Sequence, residues 1–161
     1  MPSLTLRRFV VLLTLGFATL QTAAWPVAAN AMDPAQTIHM RHDNFKLLGK
    51  TTKALKGQLE SRAPDRAAVA DEARTVARLA AALPSWFPEG TGPNAGIKTR
   101  AKMEIWTQPA EFKKASDALT AQANKLSLLA ASGDMAATAA QGRRVSETCG
   151  DCHHQFKVKG D

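Results

Sequence analysis

Tyrosine is missing from this chain, and aromatic residues make up only 6% of its 161 positions. A basic stripe with interleaved aromatics, the usual footprint of a nucleic-acid surface, is also lacking. Cysteine occurs only twice, as Cys149 and Cys152. A bond between them would close a very small loop and add little stability by the chain-entropy account, so the pair needs another explanation. Alternating β-branched runs and hairpin dipeptides do not occur, which removes the signals of a β-rich fold. Neither a nucleophile–base pair nor paired carboxylates in a cleft-like context stands out, so enzymatic turnover is not expected. No internal repeat or low-complexity segment interrupts residues 32–161.

The first thirty residues read as a leader. Arg7 and Arg8 form a basic start, Phe9 to Leu20 an uncharged apolar run, and Ala29-Asn30-Ala31 an A-x-A cleavage pattern. The apolar run falls short of the ~20 residues that a spanning helix needs. The arginine pair hints at a twin-arginine signal, but its flanks match that motif poorly. A signal peptide at 1–31, cut after Ala31, implies export to the periplasm and a domain over 32–161 with no stable membrane span. Losing two arginines lowers the formal charge from +7 to about +5. The cations are spread along helical segments, as on a solvated basic surface, and an acidic redox partner fits such a surface.

Residues 32–161 read as helix almost throughout. A first helix opens at Asp33-Pro34, an N-cap followed by proline at the first helical position. Ile38, Phe45, Leu48, Leu55 and Leu59 form its apolar stripe, which Arg41 joins. A second spans about Pro64 to Leu83 and stops at Pro84. A loop rich in proline and glycine follows to about Lys98, carrying Trp86 and Phe87. A third helix covers roughly Pro109 to Ala131. Gly133 suits its C′ position, and Asp134 suits the cap of a fourth helix that runs to about Lys157. Val145, Cys149, Cys152 and Phe156 share one face of that last helix. Four amphipathic helices with mostly short connections predict an all-α, antiparallel four-helix bundle.

Cys149-Gly150-Asp151-Cys152-His153 is a C-x-x-C-H sequence, the pattern of c-type haem attachment. Thiols at i and i+3 can each bond one haem vinyl group, and His153, beside the second, can reach the iron. A ligand on the same short segment as both tethers needs little chain entropy to position it. C-x-x-C also occurs in redox dithiols, which favour a helix N-terminus in a βαβ unit. In zinc sites it needs a second ligand pair. His39 and His42 make a poor second pair, and the haem reading is preferred.

The chain also resembles the class II cytochromes c, the cytochrome c′ family, whose four-helix bundle carries C-x-x-C-H near its C-terminus. Met40-Arg41-His42-Asp43-Asn44-Phe45 with Leu48-Gly49 resembles the first-helix signature of that family. Glu104-Ile105-Trp106 with Phe112-Lys113 resembles the start of its third helix, and Phe156-Lys157 its closing aromatic-basic pair, where arginine is common. The resemblance implies one covalent haem c and homodimers packed through the first two helices. Aligned on the glycine, Phe45 takes the position where low-spin members have a ligating methionine. A phenyl ring cannot donate to iron, so the resemblance implies a five-coordinate, high-spin haem under a crowded apolar pocket. Met40 stands roughly 140° from Phe45 around a regular helix and faces elsewhere, while His42 stands only roughly 60° away and stays open as a ligand. His39 and His154 are expected to face solvent.

Arg41, if buried, needs a partner, and a haem propionate would supply a bidentate one; the alternative is an arginine that snorkels to solvent. Lys157 lies one turn beyond His153 and acts on the iron potential or near the imidazole, or else is a solvated tail lysine. Trp86 and Phe87 are expected to pack on the bundle end. The preferred function is binding of small diatomic gases, NO and CO, with electron transfer alongside. A six-coordinate electron carrier is the alternative. A metal-independent helical binding module survives only if the cysteines carry no haem.

Overall fold

Two of the long helices start on proline, whose fixed φ suits the first turn and whose missing N–H would be unbonded there anyway. Helix α1 runs from Pro34 to Glu60 and helix α4 from Pro109 to Ser132. The computed structural model describes residues 33–159; the proposed leader, residues 1–31, lies outside them. Asp33 holds the N-cap position of α1, but its side chain accepts no capping bond.

Helix α2, Arg66–Ala82, starts two residues later than the sequence pattern suggested. Asp65 is extended, and its carboxylate accepts hydrogen bonds from the Ala67 and Ala68 amides. That arrangement puts Asp65, not Pro64, at the cap. Past Ala82 the chain tightens into a 3₁₀ turn, Leu83–Trp86, rather than stopping abruptly at Pro84. A short helix α3, Glu104–Thr107, precedes α4. Gln108 leaves helical geometry between them, as a residue before proline tends to do. Gly133 ends α4 with φ +78°, and the Asp134 carboxylate accepts from the Ala137 amide to open α5, Met135–Phe156.

The four long helices make the expected antiparallel bundle. Helix α1 packs chiefly on α2, α2 on α4 and α4 on α5, while α1 and α5 meet only over a short stretch. Val69, Val76, Leu119, Leu126 and Val145 are among the buried core residues. At roughly 1.5–3 kcal/mol per enclosed aliphatic side chain, this apolar seam dominates the stabilisation. The chain is thus closed on three sides, and the thinly packed α1–α5 side is where the two chemically distinctive helices meet. No helix among the described residues is long and apolar enough to cross a membrane.

Candidate functional site

Helix α5 buries Val145 and Phe156, and on the same face Cys149 and Cys152 are half-buried against the core. Both thiols are free. Burial raises the Cys149 pKa; burial, and then the neighbouring Cys149, push Cys152 up to about 11. The two sulfurs are therefore neutral at pH 7 and lie at the edge of an apolar interior. His153 and His154 are exposed on the adjoining surface. Protein around the His153 ring disfavours its charged form, and Lys157, Arg100 and His154 lower its pKa further. A neutral imidazole is the form that offers a lone pair to a metal. Among the described residues no cluster of three or more His, Cys, Asp or Glu side chains could hold a metal ion.

On α1, Phe45 is half-buried and held by other rings. Trp86 meets it edge-on at 5.2 Å between centroids, and Phe87 at 6.1 Å. Phe87 continues to Phe112 at 5.0 Å, and Phe112 to Phe156 at 5.3 Å. A relay of edge-to-face contacts therefore joins Phe45 to the residue that closes α5, each contributing about 0.5–1.5 kcal/mol beyond its buried area. Trp86 and Phe87 pack on the bundle as the sequence suggested, and their contact with Phe45 ties the loop to α1. Met40 is exposed, and so are His39, His42 and His154. Of the neighbouring side chains of α1 weighed as ligands, neither Met40 nor His42 is enclosed as Phe45 is.

Arg41 is only 2% exposed, which rules out snorkelling. Its Nη1 donates to Thr91 Oγ1 at 3.2 Å, and its Nη2 to the Thr91 carbonyl at 3.0 Å and to Thr99 Oγ1 at 3.1 Å. The guanidinium also lies over the Phe87 ring at 4.7 Å and near Trp106 at 5.8 Å. Burial lowers its pKa, but arginine keeps its proton in proteins. Among the described residues, no carboxylate pairs with this charge.

Lys157 caps α5 in an extended conformation, and its amide donates to the His153 carbonyl at 3.1 Å. It also pairs antiparallel with Ala101. The Lys102 amide donates to the Phe156 carbonyl at 2.9 Å, and the Val158 amide to the Arg100 carbonyl at 2.8 Å. Lys102 Nζ reaches the His154 carbonyl at 3.0 Å, a cation at a helix C-terminus. This clip fixes the C-terminal end of α5 against the segment before α3.

Sequence reasoning missed Thr91 and Thr99 as the partners of Arg41, and missed Arg100 and Lys102 beside the histidines. Arg100 and Lys102 had a local signal, the cationic Lys98-Thr99-Arg100-Ala101-Lys102 stretch. The two threonines had none, because their role comes from contacts across 50 and 58 residues.

Comparison with known proteins adds four findings. Residues 36–157 match the family model described as cytochrome C′. A cytochrome c′ of Rhodospirillum rubrum is 34% identical over 142 residues, covering 88% of this chain and 95% of its own length. A solved cytochrome c′ with ligand-controlled dimer dissociation superposes with a TM-score of 0.74 at 25% identity, over 80% of this chain and 98% of its own. A ferrous variant of cytochrome c prime from Alcaligenes xylosoxidans with bound NO gives 0.72 at 26% identity, over 80% and 98%.

Proposed function

The chain belongs to the cytochrome c′ family, and on that premise we propose that it is a periplasmic haem c protein that binds NO and CO and exchanges electrons. The observation that carries the reading is the C-x-x-C-H segment, with both sulfurs free and half-buried against the core. Cys149 and Cys152 would hold the haem as thioethers, and His153 would supply the iron ligand.

The residues present fit such a group. Two unpaired neutral thiols one helical turn apart suit two vinyl carbons. Phe45 has no donor atom, so it could not bind the iron itself and would leave that position to exogenous ligands. Arg41 is a buried cation without a carboxylate, and a propionate would neutralise it. When bound, the haem supplies an iron that takes diatomic ligands and passes single electrons. The chain does the rest. The Phe45 and Phe87 rings carry no hydrogen-bond donor, which favours neutral NO and CO over polarised dioxygen. Lys157 and Arg100 set a positive field at His153, which favours the electron-richer state of whatever the imidazole holds. The protein acts without catalytic turnover, as a homodimer, after loss of residues 1–31.

Nitric oxide bound to the A. xylosoxidans protein supports the ligand assignment, and the dimer of the first structural neighbour supports the assembly. The direct test is acid–acetone extraction of the purified protein. Colour retained by the polypeptide, and lost to the solvent in a Cys149→Ser/Cys152→Ser variant, is expected. Colour that leaves the unaltered chain contradicts the reading.

A further inference from the structure

Backbone pairing brings two short cationic segments side by side at one end of the bundle. One contributes Lys98, Arg100 and Lys102, the other Lys157 and Lys159, and neither contains an acidic residue. The register is fixed by the Lys102–Phe156 and Val158–Arg100 backbone hydrogen bonds. Among the described residues none of the five cations is ion-paired; the ion pairs present lie within α1, α2 and α4. The concentration is marked. Residues 32–161 hold the chain's 21 Lys and Arg less Arg7 and Arg8, against its 14 Asp and Glu. That leaves an excess of five positive charges, equal to the charge of these two segments, so the remainder sums to zero.

The patch borders the exposed His153 and His154: the Lys157 amide donates to the His153 carbonyl at 3.1 Å, and Lys102 Nζ reaches the His154 carbonyl at 3.0 Å. Like charges held this close are unfavourable alone, and an opposite surface relieves them on docking. We propose that the face formed by 98–102 and 157–159 is the docking surface for an acidic redox protein that exchanges electrons with the haem; this rests on the haem reading above. A protein partner fits better than a lipid surface, because Val158 is the one large apolar side chain exposed on the two segments. Membrane-surface binding needs an apolar face as well as cations.

The test uses the purified haem-loaded protein and a reduced, acidic [2Fe–2S] ferredoxin as the probe. Stopped-flow absorbance gives the second-order electron-transfer rate across a salt series. In an Arg100→Glu/Lys159→Glu variant the rate at low salt should fall by roughly tenfold. The difference should close near 1 M salt, where the screening length is ~3 Å. An Arg66→Glu/Lys125→Glu variant, with Arg66 beside the α4–α5 turn, should keep its rate. Midpoint potentials of all three proteins separate docking from driving force. Amide NMR shifts on adding oxidised ferredoxin should cluster at 98–102 and 157–159. Rates indifferent to salt and to the first variant, or shifts elsewhere, overturn the proposal. So does patch-dependent binding to phosphatidylglycerol vesicles with unchanged ferredoxin rates. Chain that carries no haem shows a different failure, that of the function itself, and the absorption spectrum registers it first.

Discussion

Arg41 and Thr91 lie fifty positions apart and are joined twice, through the Thr91 hydroxyl and its carbonyl. The guanidinium on α1 thereby holds the loop between α2 and α3, and with it Phe87, whose ring it covers. Phe87 in turn touches Phe45. One buried cation thus organises the cover over Phe45, the side chain proposed to keep the sixth iron position free.

Replacing Arg41 by methionine should therefore loosen that cover. It removes three hydrogen bonds and strands the Thr91 carbonyl. Hydrogen bonds to charged groups contribute about 1.5–3 kcal/mol each and are not additive, so a loss on the order of 3 kcal/mol is expected in urea unfolding. Arg41→Lys should recover little, since an ammonium lacks the planar fork that bridges Thr91 and Thr99. A variant as stable as the parent contradicts this role.

Gly92 is a second fixed point of the loop. A Cβ there meets Trp106 Cε3 and Cζ3 at 3.2 Å, and the Trp106 indole is anchored by donating to the Pro88 carbonyl at 3.1 Å. Gly92→Ala should cost about 1–3 kcal/mol by overpacking, seen as a lowered melting temperature. Its φ of −82° suits any residue, so an unchanged melt would mean that the ring yields freely.

Glu72 on α2 has a carboxyl oxygen, Oε2, that is buried without a partner. Burial, and secondarily Asp65, raise its pKa. A carboxyl whose folded pKa exceeds the unfolded one carries no penalty when both states are protonated, and destabilises the fold once pH rises above the unfolded value. Glu72→Gln should therefore raise the urea midpoint at pH 7, with the gain vanishing towards pH 3. A gain independent of pH would point to packing instead.

Phe45→Ala should open the distal side. If the ring's steric cost to an incoming ligand is about 1.4 kcal/mol, CO affinity rises tenfold, measured by flash photolysis and equilibrium titration. Phe45→Met should instead give sharp low-spin bands and suppress CO binding, because a thioether then competes for the iron.

Much of this architecture was legible because it is local. Gly133 and Asp134 announce the α4–α5 turn, and C-x-x-C-H announces the chemistry within five residues. Phe45 was visible as part of the apolar stripe of α1, where it packs on Trp86 and Phe87. The clip between 100–102 and 156–158 left no such trace, since single backbone pairings need no alternating pattern. Short helix α3 was hidden in the same way, its end set by Gln108 before Pro109. The charge of Arg41 was visible on the apolar stripe, but its threonine partners depend on how the loop returns over α1.

A five-coordinate haem c facing Phe45 would declare itself in the optical spectra of the purified protein. Ferric, ferrous and ferrous-plus-CO spectra should show a broad high-spin ferrous band that shifts when CO is added. Sharp low-spin bands indifferent to CO would mean that a side chain such as His42 or Met40 reaches the iron, and would make the protein a dedicated electron carrier.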